Sequence, residues 1–216
     1  MERRNFLKGT IATGLTAAFA PINALAGIGK EKNYIEYFRE VCDTLDELVD
    51  YRTGEPFEQS DFAIAYFCTP YSAYPGQGCA TDALNIYQSK NFAEMITGEK
   101  IQAIMVLSPL EKGDPPPKFA DSYTDTGRNG NFHFTGLTGE KDKVLDTARN
   151  YRASFEIDRK TSHVEGHNRS AVLISPKGEL IAKYSPKALG SIENDIANHI
   201  RQYKDYKIKQ AHGCEP

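Results

Sequence analysis

Seven consecutive residues, Phe62–Cys68 (FAIAYFC), constrain this chain more than any other stretch. Phe62, Ile64, Tyr66 and Cys68 alternate with Ala63, Ala65 and Phe67, so a strand here is apolar on both faces. Such a strand belongs in the middle of a sheet covered above and below. Pro70, Pro75, Gly76 and Gly78 then break the chain into a loop, and Cys79 opens a pattern that continues as a helix. A thiol at a strand end, a loop, and a second thiol at a helix start form a recurring layout for redox or metal chemistry.

The flanking segments supply the rest of a sheet and its cover. Periodicity predicts an amphipathic N-terminal helix over Lys30–Asp50, with Ile35, Phe38, Val41, Cys42, Leu45, Leu48 and Val49 on its apolar face. A helix over Thr81–Met95 is expected to bury Leu84, Ile86, Tyr87, Phe92 and Met95, and Gly98 to end it. Ile101–Leu107 (IQAIMVL) is a second buried strand. After a proline-rich loop, Lys118–Tyr123 reads as a short helix and Asn129–Phe134 as a return to the sheet, with His133 a strand residue. Thr138 is a candidate cap for a helix over Glu140–Tyr151, with Val144, Leu145, Ala148 and Tyr151 facing inward. Ser154–Ile157 is a short strand, and Ser170–Ser175 and Glu179–Tyr184 form a hairpin about Pro176-Lys177-Gly178. The last helix, Ser191–Tyr203, buries Ile192, Ile196, Ile200 and Tyr203 and leaves His199 at the surface. A β-α-β unit followed by a β-β-α unit predicts an α/β, thioredoxin-like fold: a central mixed sheet, helices on both faces, and an extra N-terminal helix.

The first 26 residues read as an address. Glu2-Arg3-Arg4-Asn5-Phe6-Leu7-Lys8 resembles a twin-arginine export signal, and Ala24-Leu25-Ala26 is a small-residue cleavage motif before Gly27. The expected organisation is therefore a signal peptide over 1–26, a single domain over 27–204, and a polar tail over 205–216. Export places the mature protein in a periplasmic or other extracytoplasmic compartment, with membrane association only if the leader is retained. The formal charge of −3 falls further once the basic leader is removed, which argues against nucleic acid as a partner. In an oxidising compartment Cys42, Cys68, Cys79 and Cys214 tend to pair or to bind metal. For Cys68 and Cys79 a metal site, a redox-active disulfide and a structural disulfide all remain open; Cys42 reads as a core thiol.

Several patches, in order, resemble the SCO/SenC family of thioredoxin-fold copper proteins. Ala65-Tyr66-Phe67 resembles the end of its core strand, and Cys79-Ala80-Thr81-Asp82-Ala83-Leu84 the segment carrying its second cysteine. Val106-Leu107-Ser108-Pro109 with Asp114 and Pro116 resembles its aspartate-proline loop, and Phe134-Thr135-Gly136-Leu137-Thr138-Gly139 its F-x-GLTG motif. His167 stands before Ser175-Pro176-Lys177-Gly178 at the spacing of the family's metal-binding histidine. The resemblance implies copper held by two cysteines and a histidine, for delivery to a recipient metalloprotein such as a respiratory oxidase subunit. Soft thiolates favour Cu(I), and imidazole suits both copper oxidation states. A helix N-terminus at Cys79 favours the thiolate. The pattern departs where the first cysteine belongs, at Pro75 counted back from Cys79 or at Ser72 counted forward from Tyr66-Phe67. Cys68 is the substitute, which makes Cys68, Cys79 and His167 the candidate metal ligands. Cys68 and Cys79 are equally the candidate couple of a thiol-disulfide oxidoreductase. A thioredoxin-fold assembly module without metal is the third reading. His163 is a secondary candidate ligand, and Glu165 the candidate carboxylate for orienting the imidazole.

Overall fold

The alternation of Phe62–Cys68 sorts the whole molecule into two half-cores. The computed structural model describes residues 34–39, 41, 45–69, 79–108, 133–158, 164–185, 189 and 192–212, all within one compact unit, Lys32–Pro216. Its strands are β1 (Tyr34–Arg39), β2 (Val49–Asp50), β3 (Phe62–Cys68), β4 (Ile101–Leu107), β5 (Thr135–Thr138), β6 (Phe155–Ile157), β7 (Val164–His167), β8 (Ala171–Ile174) and β9 (Leu180–Tyr184). The helices are α1 (Cys79–Thr97), α2 (Lys141–Asn150) and α3 (Glu193–Ala211). Among the described residues, seven strands form one sheet in the order β1-β9-β8-β3-β4-β5-β2, and β6 and β7 pair as a separate ribbon. β3 runs parallel to β4, and β4 parallel to β5, whereas β8 joins β3 antiparallel. The sheet is mixed, as the sequence predicts.

Every residue of β3 is buried. Phe62, Ile64, Tyr66 and Cys68 pack with Ile86 of α1 and with Ile196, Ile200 and Tyr203 of α3 in one cluster. Ala63, Ala65 and Phe67 pack on the other side with Val144, Ala148 and Tyr151 in and just after α2. A strand with two apolar faces thus receives a helix layer on each.

The N-terminal segment corrects the helical reading of Lys30–Asp50. Tyr34–Arg39 is a strand paired antiparallel with β9, Leu45–Glu47 is a single 3-10 turn, and Val49–Asp50 pairs with β5. Tyr-Ile-Glu-Tyr-Phe is rich in aromatic and β-branched residues, and the open edge of β9 supplies a ladder of backbone partners that a lone helix lacks. The apolar period survives in part, since Leu45 and Leu48 are both buried.

Other boundaries shift for local reasons. α1 continues to Thr97 and ends at Gly98, whose φ of +73° closes the helix with a bond from its N–H to Glu94 O. Phe92 and Met95 were expected inside, yet they are 40% and 73% exposed, because α1 buries Ala83, Ile86 and Ala93 instead. Of the expected return to the sheet over Asn129–Phe134, residues 129–132 lie outside the described ones; His133 is exposed and outside any strand, and β5 begins at Thr135. Thr138 belongs to β5, and α2 starts after Glu140 with no side-chain cap. Leu145 is half-buried. α3 does not stop at Tyr203 but runs to Ala211, through part of the expected polar tail. Glu179, buried in the β8–β9 hairpin, accepts hydrogen bonds from Ser175 Oγ, Tyr203 Oη and Lys207 Nζ, anchoring that extension. His199 is 1% exposed, with Nδ1 2.9 Å from Tyr184 Oη, so the expected surface residue is a core one.

The leader, Cys42, Ser72, Pro75, the Lys118–Tyr123 helix, His163 and Cys214 lie outside the described residues. No described helix is long and apolar enough to cross a membrane.

Candidate functional site

The C-terminal end of β3 organises the candidate site. Tyr66 and Cys68 lie two apart on one strand, so period two puts them on the same face, the one covered by α1 and α3. Cys68 is fully buried, and its backbone carbonyl accepts a bond from Ser108 N at 3.0 Å, which continues the β3–β4 ladder. Cys79 is the first residue of α1. Asp82, one turn later on that helix, is 4% exposed.

His167 reaches this end from the ribbon. It closes β7, paired with Phe155 of β6, and its ring meets the Tyr66 ring edge-on at 5.7 Å between centroids. His167 Nε2 is 3.3 Å from Tyr66 Oη, and the Tyr66 hydroxyl donates to Asp82 Oδ2 at 3.1 Å. Arg169 Nε donates to the same Oδ2 at 2.8 Å. Arg169 takes a left-handed backbone conformation, φ 49°, as the chain turns from β7 toward β8. That turn places His167 and Arg169 on either side of one buried phenol-carboxylate pair.

The electrostatics follow from this packing. Burial, then the Arg169 charge, pushes the His167 imidazole down to about 4 against a smaller opposing pull from Asp82. His167 is therefore a neutral imidazole near pH 7, the form that ligates metals. The bond to Asp82 holds the Arg169 guanidinium still further above its ordinary value.

Of the three expected ligands, His167 meets Tyr66, and Cys68 stands two residues beyond Tyr66 on the same strand. The third, Cys79, opens the helix that carries Asp82. Among the described residues no cluster of three or more His, Cys, Asp and Glu side chains forms a metal cage. The donor types, two thiols and a neutral imidazole, suit a soft ion such as Cu(I).

Sequence reasoning passed over Tyr66, Asp82 and Arg169 as functional residues. Tyr66 and Asp82 stood inside quoted patches, but a strand aromatic and a first-turn carboxylate have ordinary structural roles. Arg169 read only as a charged neighbour of His167. Glu165 was the candidate for an orienting carboxylate, and its side chain lies outside the described ones; Asp82 is linked to the imidazole through Tyr66.

A mixed sheet with parallel β3, β4 and β5, an antiparallel hairpin at its other side, and helices on both faces is a thioredoxin-like fold. Within that class the chain has the fold of the SCO copper proteins, as its sequence patches led one to expect. It superposes on yeast Sco1 with copper bound at a TM-score of 0.55 and 20% identity, covering 76% of this chain and 90% of that one. Arabidopsis thaliana ScoI with copper bound gives 0.52 and 18%, covering 72% and 96%. A SCO1/SenC family lipoprotein from Bacillus anthracis gives 0.54 and 16%, covering 79% and 97%. No family model and no curated protein sequence matches the chain.

Proposed function

We propose that this chain is an exported SCO-like copper carrier that binds Cu(I) through Cys68, Cys79 and His167. It passes the ion to a recipient metalloprotein, such as a respiratory oxidase subunit. The observation that carries the reading is the placement of His167. A neutral imidazole, oriented by Tyr66, stands at the end of the strand bearing Cys68, in a fold shared with copper-bound Sco1 of yeast and ScoI of Arabidopsis. Copper here is cargo. Two thiolates and one imidazole form a soft, low-coordinate set that retains Cu(I) and releases it to a competing thiolate site. A SCO1/SenC family lipoprotein among its structural neighbours supports an extracytoplasmic location.

A thiol-disulfide exchange role needs an exposed sulfur. Cys68 is fully buried, so in this role the exposed sulfur would be that of Cys79.

Metal analysis of protein exported through its own leader tests the proposal. Wild-type protein recovered from the extracytoplasmic fraction carries copper, and Cys79→Ser does not. Equal copper in the two overturns Cys79 as a ligand, and none in wild type leaves the fold as an assembly module without metal.

A further inference from the structure

Asn85, Gln88, Ser89 and Phe92 are spaced i, i+3, i+4 and i+7, so they form one stripe on α1. With Glu193, in the first turn of α3, they line a recess of about 260 Å³. Ser89 is only 5% exposed, yet its hydroxyl has no hydrogen-bond partner among the described residues. The same holds for the side chains of Asn85, Gln88 and Glu193, which make neither hydrogen bond nor ion pair there. Buried polar groups are ordinarily paired, so a stripe of this kind has its partners outside the chain. The N-terminus of a helix attracts anions, but Glu193 and Asp195 already occupy the first turn of α3. Burial raises the Asp195 carboxyl and the Glu193 charge adds to that, against the pull of His199, so negative charge is already crowded here. Lys90, the only basic residue of α1, is paired with Glu94. The recess therefore suits a cation from outside.

We propose that this recess is a docking pocket for an arginine side chain of a partner protein. A guanidinium is planar, weakly hydrated and carries several N–H donors in one plane. It can lie against the Phe92 ring while donating to the Glu193 carboxylate and to the oxygens of Asn85, Gln88 and Ser89. An ammonium is a point charge and uses fewer of these groups. No basic residue lines the recess among the described ones, so nothing there receives the carboxylate of a free amino acid. Gln88 and Phe92 are exposed, which leaves the recess open to a side chain presented on another surface. Asn85 stands about 9 Å along the helix axis from Cys79, the first residue of α1, so a partner held here reaches the end of the helix that carries the thiol. The pocket does not rest on the copper reading.

Proton–nitrogen NMR of the reduced, metal-free mature protein reads occupancy through the side-chain amides of Asn85 and Gln88, assigned by their absence from Asn85→Ala and Gln88→Ala. N-acetyl-arginine amide, the side chain in peptide form, should shift both amides in a saturable way. N-acetyl-citrulline amide, which has nearly the same shape without the charge, should bind about tenfold or more weakly, a comparison that needs no variant. Glu193→Gln should weaken the arginine probe by about tenfold while leaving the rest of the spectrum in place. The absence of a saturable shift at both amides overturns the proposal, and so does citrulline or Glu193→Gln binding as tight as that of arginine to wild type. Free arginine that binds more tightly than the blocked form also overturns it, since the recess is then a metabolite pocket and not a docking site.

Discussion

Asp82→Ala removes the hub of the Arg169–Asp82–Tyr66–His167 relay, and its cost is set by what each stranded partner does next. Arg169 is 38% exposed and returns to water, so the lost ion pair contributes about 1 kcal/mol or less. The Tyr66 hydroxyl has no access to bulk solvent, and a buried hydroxyl without an acceptor costs about 1–3 kcal/mol. His167 Nε2, already 3.3 Å away, relieves part of that penalty. The expected loss is about 2 kcal/mol. Asp82→Asn keeps an oxygen for both donors and costs about 1 kcal/mol, the difference between charge-assisted and neutral bonds. Urea denaturation reads both as shifts in midpoint at unchanged slope. In a cycle with Tyr66→Phe, Asp82→Ala strands no hydroxyl, so the two are coupled by about 1 kcal/mol. Additivity within about 0.5 kcal/mol, or an alanine variant no worse than asparagine, refutes this account of the relay.

The Glu179 cluster predicts acid sensitivity. Burial raises the Glu179 carboxyl, but hydrogen bonds from Lys207, Tyr203 and Ser175 more than offset it and hold the net value below the ordinary 4.5. Its stabilisation is present above the unfolded carboxylate range and lost as pH falls below about 4.5 toward the folded value. Thermal melts of Glu179→Gln should show a shallower acid dependence than wild type in that window, and an unchanged profile would contradict the assignment. Gly98→Ala meets open space but must keep φ near +73°, so it should cost about 1 kcal/mol, read as a melting shift of about 2–4 °C. A neutral result would mean that α1 can end elsewhere.

The sheet was legible where burial is two-sided. Phe62–Cys68 and Ile101–Leu107 appear in the structure with the predicted bounds, because a run apolar on both faces fits only the interior of a covered sheet. Tyr34–Arg39 was not, since its apolar residues satisfy a helical period as well as a strand. The choice is made by the open edge of β9, a partner about 145 residues away in sequence. α3 outran its apolar stripe because Lys207 is anchored by Glu179 on the hairpin, a contact between charges that periodicity does not register. His167 was found from its spacing to the hairpin. Its surroundings were hidden, because Tyr66, Asp82 and Arg169 come from three separate elements and meet only in the fold.

Copper binding by the Cys68, Cys79 and His167 set is the central claim, and a Cu(I) titration of the reduced mature protein tests it most directly. Wild type should take up one equivalent, lost in the Cys68→Ser/Cys79→Ser double variant and weakened in His167→Ala. Stoichiometric binding that survives removal of both thiols would contradict the site.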